Sequence, residues 1–199
     1  ALRKDYEVVY EPALAYSRDA STAGIPAAVA AARGVDAVVA FVGEEAILSG
    51  EAHSLSQINL QGAQSELIAV AKSSGKPVVV VVIAGRPLTI GRDLENCDAM
   101  LYSFHPGTMG GEALADLITG RAVPSGKSPV TFLRDAGQAP FYYNHPMTGR
   151  PNSGTETLLN DIPLKAEKSK KILLMPISYE DKGKTFEFTK KELEKQFGR

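Results

Sequence analysis

The stretch Lys76–Ala84, KPVVVVVIA, constrains the fold more than any other part of the chain. A strand with one wet face alternates apolar and polar residues, whereas an unbroken β-branched run belongs to a strand buried on both faces, the usual state of parallel sheets covered by helices. A second run, Asp36–Val42, ends on Gly43. Between the two, Gly62–Ser74 sets Ala63, Leu67, Ile68, Val70 and Ala71 at helical spacing and stops at Gly75. The order strand, helix, strand requires a crossover connection. Alanine-rich Ile25–Arg33, closed by Gly34, reads as a helix before it, and Leu94–Cys97 as a turn or short helix end. Ala99–Phe104 reads as the next strand, Gly110–Thr119 as a helix closing at Gly120, and Val130–Leu133 as a short extended piece after the turn at 124–126. Tyr6–Tyr10 is a further strand candidate.

These units predict an α/β fold: a three-layer sandwich whose mainly parallel sheet, of about five to six strands, carries helices on both faces. Residues 1–166 form the expected domain. From Glu167 the chain is lysine-rich, with a predicted strand at Ile172–Ile177, a second at Thr185–Phe188 and a helix whose Thr189–Glu192 spacing fits a capping box. This tail is read as the last strand and helix of the same domain or as an appended or fused segment.

At 199 residues and 44% hydrophobic content the chain can bury a full core. A net charge of -1 creates no field attracting nucleic acid or an anionic membrane, and neither is expected as a partner. The longest apolar run falls far short of the ~20 residues that span a bilayer. The single Cys97 cannot form an intrachain disulfide and reads as a small core residue rather than a nucleophile. The N-terminus, ALRKDYEVVY, has neither a signal-peptide pattern nor an initiator Met, and reads as a cut inside a longer protein.

Chemistry is expected where the first parallel strand releases its loop, because ligands of open α/β sheets bind beyond the carboxyl ends of the strands. That loop, within Val38–Leu60, carries Glu44, Glu45, Glu51 and His53. Glu44 directly follows Gly43 and suits either sugar hydroxyls or backbone amides, the latter role holding the loop in shape. Glu51 reads from the residues alone as a solvated loop carboxylate. His53 suits a hydroxyl or a neighbouring carboxylate, or is simply exposed. The spacing of Glu44, Glu51 and His53 fits no known zinc or calcium loop, so no metal is expected, and no cofactor either. After the second strand, Gly85-Arg86-Pro87 presents a planar guanidinium at a stiff turn, suited to substrate or to an ion pair between loops. In HPGTMGGEA, Gly107, Gly110 and Gly111 precede a helix without the spacing or the Lys-Ser/Thr of a nucleotide loop. They are expected to permit close packing, with His105 and Met109 near the cleft.

Five stretches in order resemble one family. VVAFVGEEAILSGEA, GKPVVVVVIAGRPL, HPGTMGGEALADLITG, PSGKSPVTF and GQAPFYYNHPMTGRP are similar to the C-terminal α/β domain of family 3 glycoside hydrolases, particularly bacterial β-glucosidases. The resemblance implies a two-domain enzyme in which a (β/α)8 barrel, absent from this chain, supplies an aspartate nucleophile. It implies Glu51 as general acid/base, with Glu44, His53, Arg86, His105 and Met109 as candidate substrate-binding residues. It also implies a β-linked glucoside or oligosaccharide substrate and a periplasmic or secreted setting. The aromatic FYYNHPMTGRP segment, 141–151, is expected to contact the barrel or stack on sugar. One departure concerns the loop: relatives carry a Ser-Arg-Thr-Asp-like segment where this chain has Ser54, Leu55, Ser56 and Gln57. Retaining hydrolysis needs two carboxyl groups, so this chain alone is not expected to be active. The alternative is a non-catalytic sugar-binding or domain-docking module of the same fold.

Overall fold

The computed structural model describes residues 1–142 and the backbone of 172–174. Helix α1 (Ile25–Arg33) precedes strand β1 (Val38–Gly43). Helix α2 (Gln64–Lys72) leads to β2 (Val78–Ile83), and the short α3 (Gly91–Glu95) leads to β3 (Ala99–Tyr102). Helix α4 (Gly110–Ile118) follows, and β4 (Ile172–Leu174) adds to the sheet after a long connection. The four strands of the described residues lie in the order β1-β2-β3-β4, all parallel, with Val38 opposite Val78, Val80 opposite Met100 and Met100 opposite Ile172.

The period-two geometry of strands sorts the valine run onto both faces. Val78, Val80 and Val82 join Ala40, Val42, Met100 and Tyr102 in a core capped by Ile68 and Ala71 of α2 and by Leu94 of α3. On the opposite face Val81 and Leu101 pack against Leu114 of α4. Val78, Val80, Val81 and Val82 are fully buried, each worth about 1.5–3 kcal/mol. The expected α/β sandwich with helices on both faces is therefore present. Phe41 continues the row of Val81 and Leu101 but sits on the outer strand and is 56% exposed. Cys97 is buried beside α3, as expected of a core thiol.

Two local expectations are corrected. Tyr6–Tyr10 is no strand: it pairs with no other strand among the described residues, and Tyr6, Val8, Val9 and Tyr10 are exposed. Val130–Leu133 is irregular and anchored through Phe132, whose ring meets Tyr102 edge-on at 4.8 Å. Strand Thr185–Phe188, the helix from Thr189, residues 175–177 and segment 143–151 lie outside the described residues. Among those described, no helix is long and apolar enough to cross a membrane.

Candidate active-site loops

The loops after β1, β2 and β3 leave the same edge of the sheet. Gly43 makes the first exit possible. Its φ is +136°, and a Cβ there would lie 1.9 Å from the carbonyl oxygen of Ile83. The bare Cα lets β1 turn away while Glu44 N–H still donates to that carbonyl at 2.8 Å.

Glu44 is thereby driven inward, its side chain 2% exposed. Its Oε2 accepts from Arg86 Nε at 3.2 Å, and Arg86 Nη2 donates to the carbonyl of Leu48. The tie between loops expected of Arg86 is present, whereas Glu44 holds the loop through this guanidinium rather than through backbone amides. Glu44 Oε1 and Ser49 Oγ are buried and have no hydrogen-bond partner among the described residues.

Glu51 and His53 lie further out. A 3-10 turn, Ala46–Leu48, is followed by a tight reversal in which Gly50 has φ +141° and Ala52 φ +62°. His53 N–H donates to the carbonyl of Gly50, and its Nδ1 lies 2.7 Å from the carbonyl of Glu51. Both side chains are exposed. Ser17 Oγ donates to Glu45 Oε2 at 2.9 Å, which fastens the loop base to the N-terminal segment.

The third loop brings His105. The point a Cβ would occupy on Gly85 lies 2.1 Å from Ser49 Oγ and 2.8 Å from His105 Nε2. The structure thus brings Glu44, Ser49, Gly85, Arg86 and His105 together. Met109 caps the start of α4 and is 61% exposed. Of the glycines beside it, Gly110 does permit close packing, against Pro106. Gly107 serves a turn at φ +71°, and Gly111 faces open space.

Sequence reading missed three residues of this edge. Tyr102 is fully buried, donates its hydroxyl to the carbonyl of Arg86 at 2.5 Å and accepts from Leu88 N–H at 3.0 Å. Burial, opposed in part by the Leu88 hydrogen bond, pushes its phenol far above the usual tyrosine range, so it remains a donor. Ser49 carries no signal in the sequence. Gln64 had one: a polar residue among the apolar positions of an otherwise core-facing helix. No cluster of three or more metal-ligating side chains occurs among the described residues.

The chain as a whole has relatives of known kind. The model of the glycosyl hydrolase family 3 C-terminal domain matches residues 3–158. The periplasmic beta-glucosidase of Salmonella typhimurium is 42% identical over 147 residues, covering 74% of this chain and 19% of that protein. A beta-xylosidase of Formosa agariphila is 41% identical over 123 residues, or 62% of this chain and 17% of its own length. The crystal structure of a beta-glucosidase from Listeria innocua in complex with glucose superposes with a TM-score of 0.67 at 38% identity, covering 75% of this chain and 22% of that one. This chain spans roughly a fifth of the length of these relatives. The five ordered stretches, the parallel sheet and these matches agree: the chain belongs to the glycosyl hydrolase family 3 C-terminal domain family.

Proposed function

We propose that the chain is the α/β sandwich of a β-glucosidase-like enzyme and supplies Glu51 as general acid/base to an active site whose aspartate nucleophile lies on a (β/α)8 barrel. One observation carries this reading: Glu51 stands exposed on the β1 loop, while the base of that loop is fastened to the sheet by Arg86. In a retaining mechanism the barrel aspartate attacks the anomeric carbon as Glu51 donates its proton to the departing glycosidic oxygen. The resulting carboxylate then takes a proton from the water that releases the covalent sugar. His53, His105 and Met109 border the approach, where they contact substrate, while Glu44 and Arg86, paired with each other, hold the loop that carries Glu51.

The substrate class is a β-linked glucoside or oligosaccharide, supported by relatives named beta-glucosidase and beta-xylosidase. A periplasmic or secreted setting is supported by the Salmonella relative, named periplasmic. The test is hydrolysis of an aryl β-glucoside by this chain alone and by the chain joined to a matching barrel. The chain alone turns nothing over, and Glu51→Gln lowers kcat of the joined enzyme about 10²–10⁴-fold. Full activity of Glu51→Gln overturns the assignment.

A second reading, a non-catalytic sugar-binding or docking module, rests on Leu55 and Gln57 standing where relatives carry charges. Calorimetric titration with glucose and cellobiose separates its two forms: binding heat supports sugar recognition, and its absence leaves docking.

A further inference from the structure

The ends of β1, β2 and β3 are joined by one continuous run of hydrogen bonds. It begins in the core, where the fully buried Tyr102 ring lies edge-on to Phe104 at 5.0 Å and to Phe132 at 4.8 Å. Its hydroxyl engages the carbonyl of Arg86 and the N–H of Leu88, closing the turn around Pro87 from below. The guanidinium that this turn presents then reaches two groups of the β1 loop, the Glu44 carboxylate and the Leu48 carbonyl.

Few other ties hold that loop. The bonds from His53 to Gly50 and Glu51 are internal and do not fix the loop relative to the sheet. Thr89 holds only its far end, through the carbonyl of Ile58. Among the described residues, the bond from Arg86 is the one hydrogen bond from another element to the backbone of residues 46–56. It falls three residues before Glu51. An arginine is needed because two nitrogens of one rigid plane address the two acceptors. A lysine ammonium could keep the pair with Glu44 but cannot span both.

We propose that Arg86, set by Tyr102, is the positioning residue that holds the 48–53 segment, and with it the Glu51 carboxyl, in register with the sheet. The proposal deepens the acid/base reading of Glu51 and rests on it for its catalytic consequence.

Amide hydrogen exchange by NMR on the 199-residue chain tests the positioning without any activity. Arg86→Lys accelerates exchange at least about tenfold at Leu48, Ser49 and His53, the amides of this segment that are hydrogen-bonded, while Val80–Val82 stay protected. Tyr102→Phe does the same without touching either charged group, and should it fail to fold, Arg86→Lys still decides. Lys72→Gln, which breaks a surface pair with Asp98, leaves the loop unchanged. Unaltered exchange at 48–53 in Arg86→Lys overturns the proposal.

In the barrel-joined enzyme, Arg86→Lys lowers kcat/KM, which reports the step that cleaves the glycosidic bond, about tenfold or more for alkyl glucosides, whose leaving group needs the acid, and far less for dinitrophenyl glucosides. An equal loss on both substrates overturns the catalytic part. If Glu51→Gln is fully active, the acid/base reading fails instead, and the exchange result alone decides the positioning.

Discussion

Gln64 pairs with both backbone groups of Gly43. The Gly43 N–H donates to Gln64 Oε1 at 2.7 Å, and Gln64 Nε2 donates back to the Gly43 carbonyl at 3.0 Å. A side chain on α2 thus does at the end of β1 what a neighbouring strand would do. The same amide nitrogen lies 2.7 Å from the Ser17 carbonyl and 3.0 Å from that of Gln61. One buried glutamine therefore joins the N-terminal segment, the end of β1 and the close of the candidate loop.

Gln64→Ala removes the side-chain partner of the buried N–H and carbonyl of Gly43. The expected loss is about 2–4 kcal/mol, read as a lower urea midpoint. Gln64→Glu keeps the acceptor for Gly43 but offers carbonyls no donor while ionised. It should be destabilised at neutral pH and recover part of the loss in acid. A midpoint within error of the parent for Gln64→Ala would remove this residue from the account.

The strands were legible because burial on both faces leaves no polar residue to interrupt them, so Val78–Ile83 announces itself. The helices were legible from spacing and terminal glycines. What escaped depends on neighbours remote in the chain. Tyr102 sits in an apolar strand and reads as core, and nothing near it in sequence says that its hydroxyl holds a turn 16 residues away. Gln64 stands among the apolar positions of its helix, which marks it as buried, but nothing near it in sequence names Gly43, 21 residues away, as its partner. Tyr6–Tyr10 has strand composition, yet composition supplies no partner strand. The Glu44–Arg86 tie was foreseeable in part, since a guanidinium at one strand exit and a carboxylate at another need only adjacent parallel strands to meet.

Two glycines on this edge separate backbone from side-chain crowding. At Gly43 an added methyl meets the Ile83 carbonyl at 1.9 Å with φ at +136°, and neither strand can move without breaking the ladder. Gly43→Ala should cost more than about 3 kcal/mol and leave little folded protein, seen by circular dichroism and thermal melting. At Gly85 the methyl meets Ser49 Oγ at 2.1 Å, Ser49 Cβ at 2.6 Å and His105 Nε2 at 2.8 Å, so the hydroxyl and the ring turn aside while the loop backbone at Ser49 shifts. Gly85→Ala should fold, lose about 1–3 kcal/mol, and shift amide resonances of Ser49 and His105 most. Equal losses at the two positions would contradict this distinction.

Asp93 offers a pH-dependent test away from the loops. It is 5% exposed on α3, and burial raises its carboxyl above the ordinary 3.8, opposed in part by a hydrogen bond from Ser65. A raised folded value means that the native state binds this proton more tightly than the unfolded chain does. Stability from this group is therefore full below 3.8 and declines as pH rises through the raised value, after which it is constant. Asp19 has the opposite sign. Its carboxylate accepts from the N–H groups of Ala15 and Ser21, which lowers it, so its contribution is present above 3.8 and lost as pH falls through the lowered value. Asp93→Asn keeps an acceptor for Ser65 without the charge. Its stability relative to the parent, from urea unfolding across pH, should be smallest in acid, grow through the Asp93 window and then level. An advantage that shrinks with rising pH would show that Asp93 is stabilised as its anion in the folded chain.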